Sequence, residues 1–370
     1  MNSKRLLLIA SLSLTLAGSA AAQIMYGQPS AADIQFIHTH WEADAGDSLG
    51  TTSISQVSFP MRGFIPAGDN AELLIYLAGA WNSLDRPATD EYTLTGLGDA
   101  RLQYNRSFAD DRLLLSAGMN LPSGKRELSI EEESPVLTML SQSYLSFPMR
   151  QFGEGLGFSL MLGGAQMVGQ FRAGVSAMYQ YNGKYAPYEG VDDYDPGDLI
   201  SFNAGIDRDY ESARVGVNAT LSLYTKDKLQ GTEVFKQSTS VDLRLAGEYG
   251  GDRGQLSGAI GYLIRGRNTT FVESTENEVK IYGNELWGRA AYIHRFGNWR
   301  LGPVAELRNI AENEQDLGSA TVFGGGAAIS RTLGETMGLE LSGRYYTGNA
   351  DGGDIDLTGY QLTASLTANF

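Results

Sequence analysis

The chain has no cysteine, only three histidines and only ten prolines in 370 residues. Without cysteine there is no disulfide framework, no thiolate metal site and no cysteine nucleophile. His38, His40 and His294 are the whole histidine supply. His38 and His40 would share one face of a strand, but no third ligand stands at a recognisable spacing, so no metal or other cofactor is implied. A structural or border-facing role suits them better. Basic residues are also short, 28 against 43 acidic ones for a formal charge of −15, which argues against nucleic acid as a partner. Past the amino terminus no apolar run reaches the ~20 residues that a spanning helix needs. No Pro/Ser-rich linker or low-complexity tract interrupts the chain, so one domain after the leader is the simplest organisation.

What is present starts at the ends. Lys4 and Arg5 precede an apolar run from Leu6 to Leu16 and then small residues ending Ala20-Ala21-Ala22-Gln23. This order predicts a cleaved secretory signal over residues 1–22, and its loss would take the formal charge from −15 to −17. With no cysteine after the cleavage region, a lipoprotein anchor is excluded. At the other end Tyr360, Leu362, Ala364, Leu366, Ala368 and Phe370 alternate with Gln361, Thr363, Ser365, Thr367 and Asn369. That is the period of a strand with one face in an apolar medium and the other in water. The terminal aromatic at the end of such a strand resembles the closing strand of bacterial outer-membrane β-barrels. The resemblance implies a Gram-negative outer-membrane location and a terminal signal, carried by Tyr360, Leu366 and Phe370, that the barrel-assembly machinery reads.

The same alternation recurs upstream. Met337, Leu339, Leu341, Gly343 and Tyr345 oppose Glu340, Ser342, Arg344 and Tyr346; Val241, Leu243 and Leu245 oppose Asp242, Arg244 and Glu248. Similar faces run through Phe171–Asn182, Ala213–Leu223 and Trp299–Arg308. Short turns such as Val168–Gln170, Tyr210–Ser212 and Phe296–Asn298 alternate with long polar connections such as Lys125–Gly153, Gly183–Gly197 and Arg267–Gly283. Short periplasmic turns and long external loops have this order. The expected fold for residues 23–370 is therefore all-β: a transmembrane antiparallel up-and-down β-barrel of about sixteen strands with both termini periplasmic. The early stretches Ile34–Trp41 and Ile54–Phe64 alternate poorly, which leaves fourteen strands open. One segment near 134–146 has helical spacing, with Ser134 as N-cap and Pro135 at the first helical position. It could fold into the lumen, cap the mouth or pack on the rim.

Gly96-Leu97-Gly98-Asp99 at a strand start, followed by Leu121-Pro122-Ser123-Gly124-Lys125 at the next strand's end, carries a second resemblance. The pairing is similar to the long-chain fatty acid transporter and phenol meta-pathway channel families, over roughly Gly96 to Lys125. It implies passive uptake of small hydrophobic or aromatic molecules. Those transporters also have an amino-terminal hatch with an Asn-Pro-Ala motif, and this chain has none. No enzyme is expected. Outer-membrane phospholipases and proteases resemble barrels with a His paired to Ser or Asp near the outer rim. Here His294 falls at the periplasmic end in this topology, and His38 has no nucleophile motif beside it. Gly324-Gly325-Gly326 lacks the Lys-Ser/Thr of a phosphate loop and fits close strand approach instead.

The charges on the inward faces are the candidate site. Arg101, Arg172, Arg214, Arg244, Arg265, Arg289, Arg300, Arg308 and Arg344 are matched by Asp99, Asp242, Glu248, Glu306 and Glu340. Facing lipid they would cost ~2–4 kcal/mol each at the midplane, so a wet interior is required. Two readings of this network stay open, a selectivity field across an open pore or a set of bridges that fills it. The expectation is an outer-membrane channel for small solutes, with hydrophobic or aromatic ones favoured; a general porin for polar solutes and a non-transport structural or adhesive barrel are the alternatives. Its partners would be outer-membrane lipid, lipopolysaccharide, the assembly machinery and the solute.

Overall fold

The computed structural model describes residues 30–46, 50–87, 91–251, 253–272, 275–314 and 318–370. The expected signal over 1–22 lies outside them. Sixteen antiparallel staves close into one barrel. The first four are β1 (Ala31–Asp44), β2 (Thr51–Ser58 and Met61–Pro66), β3 (Ala71–Leu77 and Gly79–Asp85) and β4 (Tyr92–Leu97 and Ala100–Phe108). Then come β5 (Leu113–Leu121), β6 (Gly157–Val168), β7 (Phe171–Asn182), β8 (Leu199–Asp209), β9 (Ala213–Tyr224) and β10 (Ser240–Gly250). The circuit ends with β11 (Gly254–Arg265), β12 (Glu285–Phe296), β13 (Trp299–Ile310), β14 (Ala320–Leu333), β15 (Met337–Ala350) and β16 (Ile355–Asn369). Each pairs with its sequence neighbours, and β1 pairs with β16 from Ala31↔Asn369 to Asp44↔Asp356. Closure leaves no stave with a free edge, which is what a sheet without water around it needs.

The two-residue rhythm sorts side chains as expected. Leu339, Leu341 and Tyr345 of β15 stand exposed on the outside, while Glu340, Ser342, Arg344 and Tyr346 line an interior cavity. Val175, Phe202, Leu245 and Ile260 continue the apolar outer face round the barrel. Phe370 is exposed, and its N–H donates to the Ser30 carbonyl beside the seam.

Three of the first four staves are interrupted. β2 and β3 keep their in–out alternation across the breaks at Phe59–Pro60 and Ala78. β4 does not: Leu94 is buried inside before Gly98-Asp99, and Asn105 is buried inside after it, so an extra residue has been inserted. Asp99 sits at that bulge.

Residues 122–156 between β5 and β6 turn into the barrel. They carry α1 (Ser134–Leu140) and a 3₁₀ turn (Ser143–Leu145). The helix starts one residue earlier than expected: Glu133 holds the N-cap position with no side-chain cap bond, and Pro135 is in the first turn. Val136 and Leu140 on α1, with Leu145, Phe147, Met149 and Phe152 beyond it, are buried against the inward side chains Trp41, Ile54, Leu84, Leu94, Val322, Tyr346 and Leu357. The helix touches β3 and β4, and the 3₁₀ turn touches β13 and β14. The segment therefore crosses the lumen and packs as a core, which decides among the three placements the sequence left open. This core also explains the weak alternation of the early staves, because most inward positions that meet the inserted loop, Gln56 aside, are themselves apolar.

The long connections after β7, β9 and β11 are more ordered than loops. Tyr194–Asp195, Lys226–Leu229, Thr232–Lys236, Asn268–Val272 and Thr275–Val279 form a separate five-stranded sheet at the long-loop end. From residue order alone these stretches are only long polar connections.

Candidate functional site

The site is the space that the inserted loop leaves beside the opposite wall. It measures about 1450 Å³ and runs along the inward faces of β5–β16 and the start of β1, with Ser146, Phe147, Pro148 and Arg150 of the loop on its other side. Four sets of bonds hold the loop there.

The first is a clasp at the β4 bulge. The Asp99 carboxylate accepts the Gly124 N–H at 2.7 Å, the Glu154 N–H at 2.7 Å and the Asn120 amide at 2.9 Å. Gly124 and Glu154 are the two ends of the inserted segment, so one buried carboxylate ties both to the wall. Around it the Ala100 N–H donates to Ser123 Oγ at 2.9 Å, and Lys125 N–H donates to the Leu97 carbonyl at 2.9 Å. The glycines are a spatial requirement: a Cβ on Gly124 would stand 2.7 Å from the Gly153 Cα, and one on Gly153 would stand 2.8 Å from the Gly124 carbonyl carbon. The paired motifs that suggested a family resemblance thus make the joint between wall and loop.

The second set joins the loop's apex to the wall: Gln56 donates to the Met149 carbonyl at 2.7 Å and accepts its N–H at 3.0 Å. In the third, Arg308 on β13 donates to the Tyr144 carbonyl at 3.2 Å. The fourth is a strap from the next connection, in which the Glu127 and Leu128 N–H groups donate to the Ala186 and Pro187 carbonyls. Closed barrels with a loop so fastened have a constriction that does not depend on solute to form.

The wall opposite is ionic. Glu306 Oε1 lies 2.8 Å from Arg289 Nε and 3.6 Å from Arg344 Nε, and Oε2 lies 3.1 Å from Arg308 Nη2. Tyr346, stacked on Trp41 at 5.2 Å, donates its hydroxyl to Glu306 at 3.4 Å. Room for the Tyr346 ring comes from Gly324, where a Cβ would meet it at 2.5 Å. Arg344 continues to Gln361 at 2.9 Å, and Gln361 to Thr39 at 3.1 Å, across the β15–β16–β1 seam. Further pairs are Arg265 with Glu285 at 3.1 Å and Arg244 with Asp242, Nε donating at 3.0 Å. Nearer the short turns Arg172 pairs with Asp207, and Arg214 lies 3.4 Å from both Asp207 and Asp209.

Of the sequence-derived candidates, Arg172, Arg214, Asp242, Arg244, Glu248, Arg265, Arg289, Arg300, Glu306, Arg308, Glu340 and Arg344 all line this one cavity. Asp99 and Arg101 do not belong to it. Asp99 is the clasp just described, and Arg101 lies 3.8 Å from Glu154 at the loop's base. Sequence reasoning missed Asp207, Asp209 and Glu285, whose signal was available in the same alternation. It also missed Arg150 and the loop's bonds to Gln56 and Arg308, for which no local signal exists. His38 and His40 face outward with Tyr360 between them, ring centroids 5.4 Å away in each case, and His294 packs on Phe296 at 4.4 Å. Among the described residues no group of three or more His, Asp and Glu could hold a metal ion.

Among the described residues the cavity lining carries eleven arginines against six carboxylates, with Asp209 and Glu285 pairing to lining arginines from just behind it. The imbalance is sharpest beside the loop. Glu306 is shared by three arginines, and its side chain is 4 % exposed where Arg289 is 32 % exposed. A solute passing there meets guanidinium groups in front of the carboxylate. Guanidinium forks bind carboxylate and phosphate oxygens two at a time, which gives such a wall a preference for oxyanions.

No protein-family model and no curated protein matches the sequence. Several solved structures resemble the fold. A monoaromatic hydrocarbon channel, CymD, is 12 % identical over 93 % of this chain and 89 % of its own, with a TM-score of 0.43. A BenF-like porin from Pseudomonas fluorescens Pf-5 is 9 % identical over 92 % and 99 %, TM-score 0.49. Pseudomonas aeruginosa OccK2, solved in complex with glucuronate, is 9 % identical over 92 % and 98 %, TM-score 0.47.

Proposed function

We propose that this chain is an outer-membrane channel through which small solutes pass passively, with small anions favoured at the constriction. A closed barrel with an apolar outer face and a water-accessible ionic interior requires a bilayer around it, and exported chains of this form reside in the outer membrane. The short turns then lie in the periplasm and the long connections outside. The observation that carries the reading is the gap itself: about 1450 Å³ between a firmly bonded loop and a wall whose arginines outnumber its carboxylates. Bridges that simply filled the barrel would leave no such space. Selection would come from the field of Arg289, Arg308 and Arg344 around Glu306, with Arg244 and Arg265 above and Arg172, Arg214 and Arg300 below.

The test is reconstitution of the full chain in planar lipid bilayers. Stepwise conductance with a reversal potential on the anion side in a salt gradient is the expected result; no conductance from a correctly folded barrel would overturn the channel reading. A second reading, passage of hydrophobic or aromatic molecules, keeps the support of the motif pair between Gly96 and Lys125. It separates from the first by uptake: cells carrying the protein would gain permeability to uncharged aromatics but show little ionic current. Within the same proposal, Tyr360, Leu366 and Phe370 form the segment that the assembly machinery reads. The acidic long connections would face lipopolysaccharide through bridging divalent cations.

A further inference from the structure

The outer face of the barrel carries its own charge pattern, separate from the lumen. Among the described residues, the charged side chains that strand alternation turns outward divide by rim. Glu42, Asp44, Asp85 and Asp356 all lie at the long-loop ends of β1, β3 and β16. Arg106, Arg208 and Arg331 all lie within two residues of the short-turn ends of β4, β8 and β14. Their outward direction follows from their neighbours: Tyr104 and Phe108, Ile206, and Leu333 are exposed on the same face, whereas Asn105 is buried inside, and Asp207 and Ser330 line the lumen.

Each of the three arginines is laid against outward aromatics. Arg106 lies 5.1 Å from the Phe108 ring centre, Arg208 lies 5.3 Å from Phe171 and 4.6 Å from Tyr210, and Arg331 lies 4.8 Å from Trp299. Arg208 also donates to Gln170. Among the described residues none of the three is in an ion pair, in contrast to the lumen, where Arg172, Arg214, Arg244, Arg265, Arg289, Arg308 and Arg344 all are. Acidic residues of the adjacent turns, such as Asp110 and Glu335, come after the strand ends and so lie beyond the apolar band. An arginine at the edge of that band, backed by an aromatic ring and without a carboxylate, has its stem in hydrocarbon and its guanidinium at headgroup depth. The group with complementary charge and geometry at that depth is a phosphodiester.

We infer that Arg106, Arg208 and Arg331 form three separate sites, spaced round the short-turn rim, that each hold the phosphate of an anionic phospholipid. The aromatic beneath each guanidinium restricts its orientation, and the opposite, acidic rim repels the same lipid. The barrel is thereby matched to a membrane whose short-turn leaflet is phospholipid, and its vertical position is fixed on that side. The inference does not depend on what passes through the lumen.

The test uses the full-length folded barrel in detergent, titrated with phosphatidylglycerol and followed by native mass spectrometry. The wild type is expected to retain up to three lipids. R106Q, R208Q and R331Q should each weaken one of the three sites roughly fivefold, from ~1 kcal/mol per basic residue near an anionic surface, and lower the mean number of lipids retained. E42Q/D85N/D356N at the opposite rim should leave retention unchanged or raised. Folding of each variant is checked by its heat-dependent gel mobility, and the single variants keep the test valid if the triple variant does not fold. Unchanged retention in the three arginine variants, or equal loss in the opposite-rim variant, would overturn the inference.

Discussion

Replacing Asp99 by alanine probes how the constriction is held. The substitution removes the acceptor for two backbone N–H groups and one side-chain amide, at 2.7, 2.7 and 2.9 Å, in a position that is 6 % exposed. Hydrogen bonds to a charged acceptor are worth about 1.5–3 kcal/mol each, and buried donors left unpaired cost about 1–3 kcal/mol. Water entering the space of the lost carboxylate restores part of this, so the net cost falls at about 3–4 kcal/mol, or about 10²–10³ in the equilibrium between packed and released loop. The Gln56–Met149 and Arg308–Tyr144 bonds remain, so the loop's middle stays docked while its two ends loosen. Hydrogen-exchange mass spectrometry of the folded barrel reads this directly. Amides flanking Gly124 and Glu154 should exchange about 10²–10³ times faster, those of β9–β12 should not change, and single-channel current should become noisier. D99N retains one acceptor oxygen and should fall between. If exchange around Gly124 and Glu154 equals wild type in D99A while the barrel remains folded, the clasp does not hold the loop.

Three further outcomes follow from the same geometry. R289Q removes the most exposed of the three arginines on Glu306 and should shift the reversal potential toward cations, whereas E306Q should shift it toward anions; shifts of the same sign would refute a local field. Burial is the main cause that raises the Glu154 carboxyl above the usual carboxylate range, Asp99 adds to it and Arg101 opposes it. In the released loop this group ionises at its ordinary value, so between the two values the packed loop holds the extra proton and packing strengthens as pH falls. The gain is lost as pH rises through the raised value, so loop amides should be better protected at mildly acid than at neutral pH, and E154Q should abolish the difference. W41A empties the largest inward side chain under the loop, 1 % exposed and stacked on Tyr346, and should cost about 3–5 kcal/mol in urea unfolding.

Much of the architecture could be read from residue order because a barrel wall is a local code. Each stave must put apolar side chains out and polar ones in, and each reversal must be a turn, so Val241–Glu248 or Met337–Tyr346 state their own orientation without reference to any partner. The lumen charges followed from the same rule, which is why so many fall on one cavity. The rule failed where the medium inside is not water. Opposite Val136, Leu140 and Phe147 the inward faces of β1–β4 are apolar, and there the rhythm faded and the strand number stayed open between fourteen and sixteen.

The chain's order of residues therefore determined the barrel, its two rims and the inward placement of the arginines, since each depends only on a two-residue period and on which side chains tolerate hydrocarbon. Tertiary structure alone decided that residues 122–156 enter the lumen, that Asp99 serves the loop instead of the solute path, and that Glu306 sits behind three arginines. Those outcomes rest on contacts between residues far apart in the chain, such as Gln56 with Met149 and Arg308 with Tyr144. Such contacts arise only once closure brings opposite walls within reach of one loop.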